Sequence, residues 1–157
     1  MKTLLTALLI AASAPALAGD HAYGPFPANY VSECGSCHVA FPPQLLTAPD
    51  WQAMMNVLDK HYGVDASLEA KPRAAIADFL QKNASRRQKH DGHATTAQPP
   101  RLTQTAWFRK EHGNLPAKAT TTLPAAAQCE SCHTAAERGD YNESSLKRPA
   151  GFSRKER

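Results

Sequence analysis

The sequence has little material for a conventional hydrophobic core. Only 7% of its 157 residues are aromatic, and much of its leucine and isoleucine lies in one apolar block at the N-terminus. No stretch of useful length alternates between apolar and polar residues, which argues against a β-sheet. The length fits one domain or two small lobes. We therefore expect a mainly α-helical chain that needs something besides its own side chains to fold.

A strong charge of either sign is also missing. The chain has 18 basic and 14 acidic residues and a formal net charge of +4, which is too little to indicate a nucleic-acid-binding protein. The basic residues that cluster within 82–89 and 147–157 are interpreted as solvated surface.

Beyond the N-terminus, the sequence has no candidate membrane span. Residues 1–18 consist of a lysine, an apolar run and an Ala16-x-Ala18 pattern, which is typical of a cleaved secretory signal peptide. A short membrane anchor is the weaker alternative, because the run falls below the about 20 apolar residues of a spanning helix. We expect an exported, soluble chain that begins near Gly19, after cleavage at Ala18.

Export makes the four cysteines the central question, since thiols in an oxidising compartment usually form disulfides. All four instead belong to two Cys-x-x-Cys-His motifs, at residues 34–38 and 129–133. This is the attachment motif of haem c. Residues three apart share one face of a helical turn, so both sulfurs can form thioethers with one porphyrin while the histidine reaches the iron. The motif residues are Cys34, Cys37 and His38, and Cys129, Cys132 and His133.

Two other kinds of site use paired cysteines. A zinc site of four cysteines would leave the histidine after each pair unexplained. A thioredoxin-like redox pair requires a strand and a helix around it, which Pro42, Pro43 and the alanine-rich flank of Cys129 do not supply. The motifs therefore predict two covalently bound haem c groups.

The second axial ligand of each iron decides between electron transfer and chemistry on a bound small molecule. Besides Met1, the only methionines are Met54 and Met55, and the 24 residues after His133 contain neither methionine nor histidine. The ligand of the second iron must therefore come from upstream, or that iron has an open position.

His61 is the leading candidate for the first iron. A helix is predicted from Asp50, a plausible N-cap, to Gly63, a plausible stop. His61 extends the apolar face of this helix. A core or helix-end histidine is one alternative, and ligation by Met54 or Met55 is another.

His112 is the corresponding candidate for the second iron. A helix is predicted between Thr105, as N-cap, and Gly113, as stop. Phe108 lies one turn before His112, so an aromatic ring should flank the imidazole.

The remaining histidines have weaker contexts. His90 and His93 are rivals for the second iron, but their stretch lacks an apolar anchor and is interpreted as solvated linker or as a weak metal site. His21 is interpreted as part of a mobile terminus.

The stretch 84–100 has no large apolar residue and ends in two prolines. We therefore predict an N-terminal haem lobe at 19–84, a polar linker at 85–100 and a C-terminal haem lobe with a basic tail at 101–157.

Together these motifs resemble the small periplasmic dihaem cytochromes c, the DHC family. The shared pattern covers nearly all of the chain after the signal peptide and includes both haem motifs and both candidate distal histidines in order. It comprises Tyr30-Val31-x-x-Cys34-x-x-Cys37-His38-x-Ala40-Phe41-Pro42-Pro43, Trp51-x-x-Met54-Met55-x-x-Leu58-x-x-His61-Tyr62-Gly63, Asp65-Ala66-Ser67-Leu68, Trp107-Phe108-x-x-x-His112 and Cys129-x-x-Cys132-His133-x-x-Ala136.

The resemblance implies bis-histidine ligation of both irons, by His38 with His61 and by His133 with His112. It implies a class I cytochrome c-like N-terminal lobe, a less regular C-terminal lobe and a periplasmic location. It further implies electron exchange with another periplasmic haem protein or a membrane cytochrome b.

We therefore expect an electron carrier and no enzyme. Two alternatives stay open. One is a peroxidase-like dihaem enzyme or gas sensor with one open or displaceable iron, and the other is the haem subunit of a larger oxidoreductase.

Overall fold

A computed structural model describes residues 21–93, 99–113 and 127–147. The predicted signal peptide and the tail after residue 147 lie outside these ranges. The expectation of a mainly helical fold without a sheet is confirmed for the described residues, which form four α-helices and no strand. The helices are α1 (Ala28–Cys34), α2 (Ala48–Asn56), α3 (Ala70–Asn83) and α4 (Ala106–His112). Single 3₁₀ turns occupy Pro43–Leu45, Leu58–Lys60, Gln88–His90, Leu102–Gln104, Cys129–Ser131, Ala136–Arg138 and Glu143–Ser145.

None of the described helices combines the length and apolar character that a membrane span requires.

Helix α2 differs from its predicted bounds at both ends. Its N-cap is Thr47, and Asp50 completes a capping box by accepting hydrogen bonds from the Thr47 amide (3.2 Å) and hydroxyl (2.6 Å). The helix ends at Asn56, so the prediction of one helix as far as Gly63 was wrong. The chain leaves the helical conformation at Val57, with a φ of −129° and a ψ of 34°, and Tyr62 further on has a left-handed φ of 52°. A 3₁₀ turn instead leads to His61.

Helix α3 packs against α2 and begins at Ala70. Pro72 lies in its first turn, where the missing amide hydrogen costs no helical hydrogen bond.

A single hydrophobic core draws on both halves of the chain. Leu102 and Phe108 from the second half join buried residues of the first, and Phe108 is 6% exposed. The first-half members are Tyr30, Ala40, Leu45, Leu46, Trp51, Met54, Met55, Ile76 and Leu80. The helix that carries His112 is therefore anchored in the core that also surrounds α2 and α3.

Part of the predicted polar linker is packed against the first half. The Ser85 amide donates to the Leu46 carbonyl at 2.8 Å, and the Gly92 amide donates to the Asp50 carboxylate at 2.9 Å. His90 is 7% exposed and meets the Trp107 ring edge-on at 4.9 Å. The interpretation as solvated was wrong for His90, because its aromatic partner comes from α4, whereas residues 86–89 and His93 are exposed.

The start of the described chain pairs with the region after the second motif. The Tyr23 amide donates to the Gly139 carbonyl at 2.7 Å, and the Tyr141 amide donates to the His21 carbonyl at 3.0 Å. Gly139 has a φ of 73°, and a Cβ there would lie 2.6 Å from the Gly24 nitrogen. Glycine is therefore required at this crossing of two backbones.

Candidate functional site: two facing pairs of histidines

The first Cys-x-x-Cys-His motif starts at the end of α1. Cys34 is the last helical residue, and the Gly35 amide closes the helix by donating to the Val31 carbonyl at 2.9 Å. His38 Nδ1 lies 2.8 Å from the Val39 carbonyl. A carbonyl can only accept a hydrogen bond, so Nδ1 carries the hydrogen and Nε2 has the lone pair.

His61 faces His38. The two ring centroids are 6.3 Å apart, and the ring planes differ by 25°. The His38 ring also stacks on Phe41, with centroids 4.5 Å apart. His61 lies in a tight turn closed by a hydrogen bond from the Val64 amide to its carbonyl at 3.1 Å. The structure thus brings His61 opposite His38, although by a turn and not by the predicted long helix.

The second motif is built on a 3₁₀ turn. Cys129 begins this turn, and the His133 amide donates to the Cys129 carbonyl at 2.8 Å. The Cys132 carbonyl accepts a 2.8 Å hydrogen bond from the Lys147 amide. The His133 ring is flanked by Tyr141, with centroids 5.0 Å apart. The motif is therefore held from the C-terminal side by residues 141–147.

Helix α4 carries His112 to the second motif. The Thr105 hydroxyl accepts from the Phe108 amide at 3.2 Å and caps the helix, and Gly113 ends it with a φ of 62°. Both predicted end signals are confirmed. The predicted aromatic flank is confirmed too, because Phe108 stacks on His112 with centroids 3.9 Å apart and planes within 11°.

His112 and His133 form the second facing pair. Their ring centroids are 6.2 Å apart, and the planes differ by 67°. His112 Nδ1 lies 3.1 Å from the Phe108 carbonyl, which leaves Nε2 with the lone pair. Each pair therefore contains one imidazole whose orientation is fixed by a backbone carbonyl.

The spacing in both pairs fits one metal ion between the rings. Two imidazoles that each bind a metal at about 2.0 Å have centroids about 6.2 Å apart, because a ring nitrogen lies about 1.1 Å from its centroid. Within the described ranges, no three His, Cys, Asp or Glu side chains converge on a metal site. Two opposed imidazoles with room between them suit an iron whose four remaining ligands come from a porphyrin.

Buried nitrogens on the facing rings are consistent with such a group. Nδ1 of His61 and of His133 is buried and has no hydrogen-bond partner among the described residues. Burial lowers the pKa of His61, with a smaller effect of His38 and then of Arg101. Burial likewise lowers the pKa of His133, and His112 contributes next. Lowered pKa values favour neutral imidazole, the form that binds metals.

The cysteines do not have the properties of a redox pair. None of the four is in a disulfide. Burial raises the pKa of Cys34 to about 11, helped by Glu33, and raises the pKa of Cys129 to about 12, with Glu130 next in effect. Reactive thiols of thioredoxin-like sites have lowered pKa values. These thiols are therefore protonated at neutral pH, unlike the nucleophilic cysteines of the alternative site.

The rival ligands lie in other surroundings. Met54 and Met55 are buried in the core, at 8% and 4% exposure. His90 Nδ1 is hydrogen-bonded to the Ser85 hydroxyl at 2.7 Å. His93 is exposed, and its Nδ1 lies 3.6 Å from an Asp91 carboxylate oxygen.

Sequence reasoning missed two side chains next to His61. The Arg101 guanidinium carbon lies 3.9 Å from the centroid of the Tyr62 ring. The Tyr62 hydroxyl donates to the Pro100 carbonyl at 2.8 Å. These residues are far apart in the sequence, and no local pattern relates them.

Comparisons with known proteins agree with this geometry. Residues 30–141 match the family model described as dihaem cytochrome c. The X-ray structure of a diheme cytochrome c from Shewanella baltica OS155 is 35% identical, with a TM-score of 0.62 over 81% of this chain and 95% of that chain. A diheme cytochrome c from Rhodobacter sphaeroides is 31% identical, with a TM-score of 0.59 over 73% of this chain and 96% of that chain. A search of curated proteins found no match.

Proposed function

Because this chain belongs to the dihaem cytochrome c family, whose cofactors are two haem c groups, we propose that it is a periplasmic electron carrier with two bis-histidine haems. Cys34 and Cys37 would attach the first haem, and Cys129 and Cys132 the second. Each iron, when bound, alternates between the ferric and ferrous states and so takes up or releases one electron.

The observation that supports this ligation best is the centroid spacing of 6.3 Å for His38 with His61 and 6.2 Å for His133 with His112. The carbonyls of Val39 and Phe108 fix one ring of each pair by hydrogen bonds to Nδ1. Such bonds orient the other ring nitrogen towards the metal and increase its basicity. One ring of each pair, His38 or His112, is therefore held in position before an electron arrives, as a carrier requires.

Two imidazoles at each iron also decide the type of reaction. His38 with His61, and His133 with His112, would hold the two irons and leave no ligand position for a substrate, so electrons would pass without a bond to the iron. Histidine in place of the methionine of a His/Met cytochrome removes a ligand that raises the potential. We therefore expect both midpoint potentials to lie below those of His/Met cytochromes.

Carbon monoxide distinguishes this function from a peroxidase-like enzyme or gas sensor. The reduced protein should keep nearly the same visible spectrum under carbon monoxide, because both axial positions are filled. Rapid, stoichiometric binding to either haem would contradict the proposal. A redox titration of the protein should give two midpoint potentials below those of His/Met cytochromes. A midpoint potential in the His/Met range would also contradict bis-histidine ligation.

A cytochrome exchanges electrons with redox partners. For this chain we propose another periplasmic haem protein or a membrane cytochrome b. The periplasmic location is supported by the signal-peptide pattern of residues 1–18. Haem-staining protein should be recovered from the periplasmic fraction with Gly19 as its first residue. Haem-containing protein that keeps Met1 and stays in the cytoplasm would contradict the location.

A further inference from the structure

Two residues from the second half of the chain lie on the turn that carries His61. Arg101 places its guanidinium carbon 3.9 Å from the centroid of the Tyr62 ring, the geometry of a cation–π contact. The Tyr62 hydroxyl donates to the Pro100 carbonyl at 2.8 Å. Tyr62 is the neighbour of His61 in the chain, and the two rings are in contact, with centroids 4.9 Å apart.

Backbone hydrogen bonds close the turn, but they hold the main chain and not the ring of His61. The turn follows the end of α2, and Tyr62 and Gly63 have positive φ values of 52° and 99°. Such a conformation is unfavourable for a non-glycine residue such as Tyr62, so surrounding contacts must stabilise it. His61 Nδ1 has no hydrogen-bond partner among the described residues, unlike Nδ1 of His38. The ring of Tyr62, which contacts the His61 ring, is therefore a side-chain support for it.

Arg101 also brings a positive charge to this turn. The ion pairs found among the described residues are Lys82 with Asp78 and His93 with Asp91, and neither includes Arg101. Its guanidinium carbon lies 3.9 Å from the centroid of the Tyr62 ring, which is itself 4.9 Å from the centroid of the His61 ring. A positive charge beside a haem favours the ferrous form over the ferric form, because the ferric iron carries one more positive charge.

We propose that Tyr62 and Arg101 form a clamp by which the second half of the chain positions His61 and raises the midpoint potential of the first haem. The clamp rests on the proposed function, since it acts through His61 as an iron ligand. Tyr62 and Arg101 are positioning residues in this account. The consequence is that the N-terminal haem depends on a residue from beyond the linker.

Three variants separate the charge of the clamp from its hold on His61. Arg101→Gln removes the charge and the cation–π contact, so it should lower one midpoint and speed carbon monoxide binding to the same haem. Tyr62→Phe keeps the ring under Arg101 but loses the hydroxyl. Loss of one hydrogen bond corresponds to about two- to tenfold faster binding, with little change of midpoint. Arg101→Lys keeps the charge and should restore the midpoint.

Two further variants serve as controls. Arg86→Gln removes an arginine from an exposed position in the first half and should leave both midpoints and the carbon monoxide rate unchanged. His61→Met identifies the midpoint of the first haem, since that substitution should raise it. Haem content per chain and circular dichroism establish that each variant is folded.

The outcomes distinguish the clamp from the proposed function. If the wild-type protein shows two bis-imidazole irons but Arg101→Gln and Tyr62→Phe behave like Arg86→Gln, the clamp is refuted and the proposed function stands. If Arg101→Gln shifts the midpoint that His61→Met does not shift, the clamp is also refuted. A wild-type protein in which His61 does not bind iron contradicts both.

Discussion

The Thr105 hydroxyl holds the start of the helix that carries His112, and its removal should loosen this histidine from the second iron. The hydroxyl accepts from the Phe108 amide at 3.2 Å and donates to the Leu102 carbonyl at 2.9 Å, and Thr105 is 6% exposed. Valine has nearly the same shape without the hydroxyl. Thr105→Val therefore removes the cap and leaves the packing of the core almost unchanged.

The size of the effect follows from the length of α4. The helix has seven residues, far fewer than the about 12–15 that an isolated helix needs for stability in water. Loss of a threonine N-cap costs about 1–2 kcal/mol. If this cost falls on the local opening of α4, the population with His112 released should rise about five- to thirtyfold. Binding of carbon monoxide to the second haem should become faster by the same factor.

Stopped-flow mixing of the reduced protein with carbon monoxide measures this rate. The matched control is Thr105→Ser, which keeps the hydroxyl and should bind carbon monoxide nearly as slowly as the wild-type protein. One of the two haems should respond in Thr105→Val, and it should be the haem whose midpoint moves in His112→Met. Equal rates in the valine and serine variants, or faster binding at both haems, would refute the reasoning.

Three further predictions concern the ligands, the buried histidine and the cofactor. His61→Met and His112→Met should each raise a different midpoint in a redox titration; a variant that moves neither would exclude its histidine as a ligand. Burial lowers the pKa of His90, with Lys89 next in effect. Below about pH 6.5 the unfolded chain therefore binds more protons than the folded chain, and the stability of the fold decreases as the pH is lowered. When the pH is lowered from about 7.5 to about 5.5, the Tm of His90→Gln should therefore decrease less than that of the wild-type protein; an equal decrease would contradict this. Chain made without haem should show little helix by circular dichroism, because it lacks the apolar surface of two porphyrins; a native-like spectrum would refute this.

The parts of the site that depend on neighbouring residues were predictable from the sequence. Thr105, Phe108 and Gly113 are signals within one short segment, and helix α4 forms where they indicate. The helix through His61 was predicted too long because its end depends on distant contacts. Val57 already leaves the helical conformation, and beyond it the Leu58 carbonyl accepts from the Ala66 amide at 2.9 Å, whereas the glycine that signals a stop comes only at Gly63.

Contacts between distant segments explain the other differences. His90 has only polar neighbours in sequence, yet it packs against Trp107. Periodicity and capping signals carry no information on such pairs, because they report only the faces and ends of single elements. The same limit applies to Arg101 on Tyr62. A sequence pattern could identify the ligand candidates, but the residues that hold them in place required the fold.

Low-temperature EPR of the oxidised protein tests bis-histidine ligation most directly. The account predicts two low-spin ferric signals, each with the g values of bis-imidazole iron, and they should differ because the ring planes lie at 25° in one pair and 67° in the other. A high-spin signal, or a His/Met signal at either iron, would contradict the ligation of His38 with His61 or of His133 with His112.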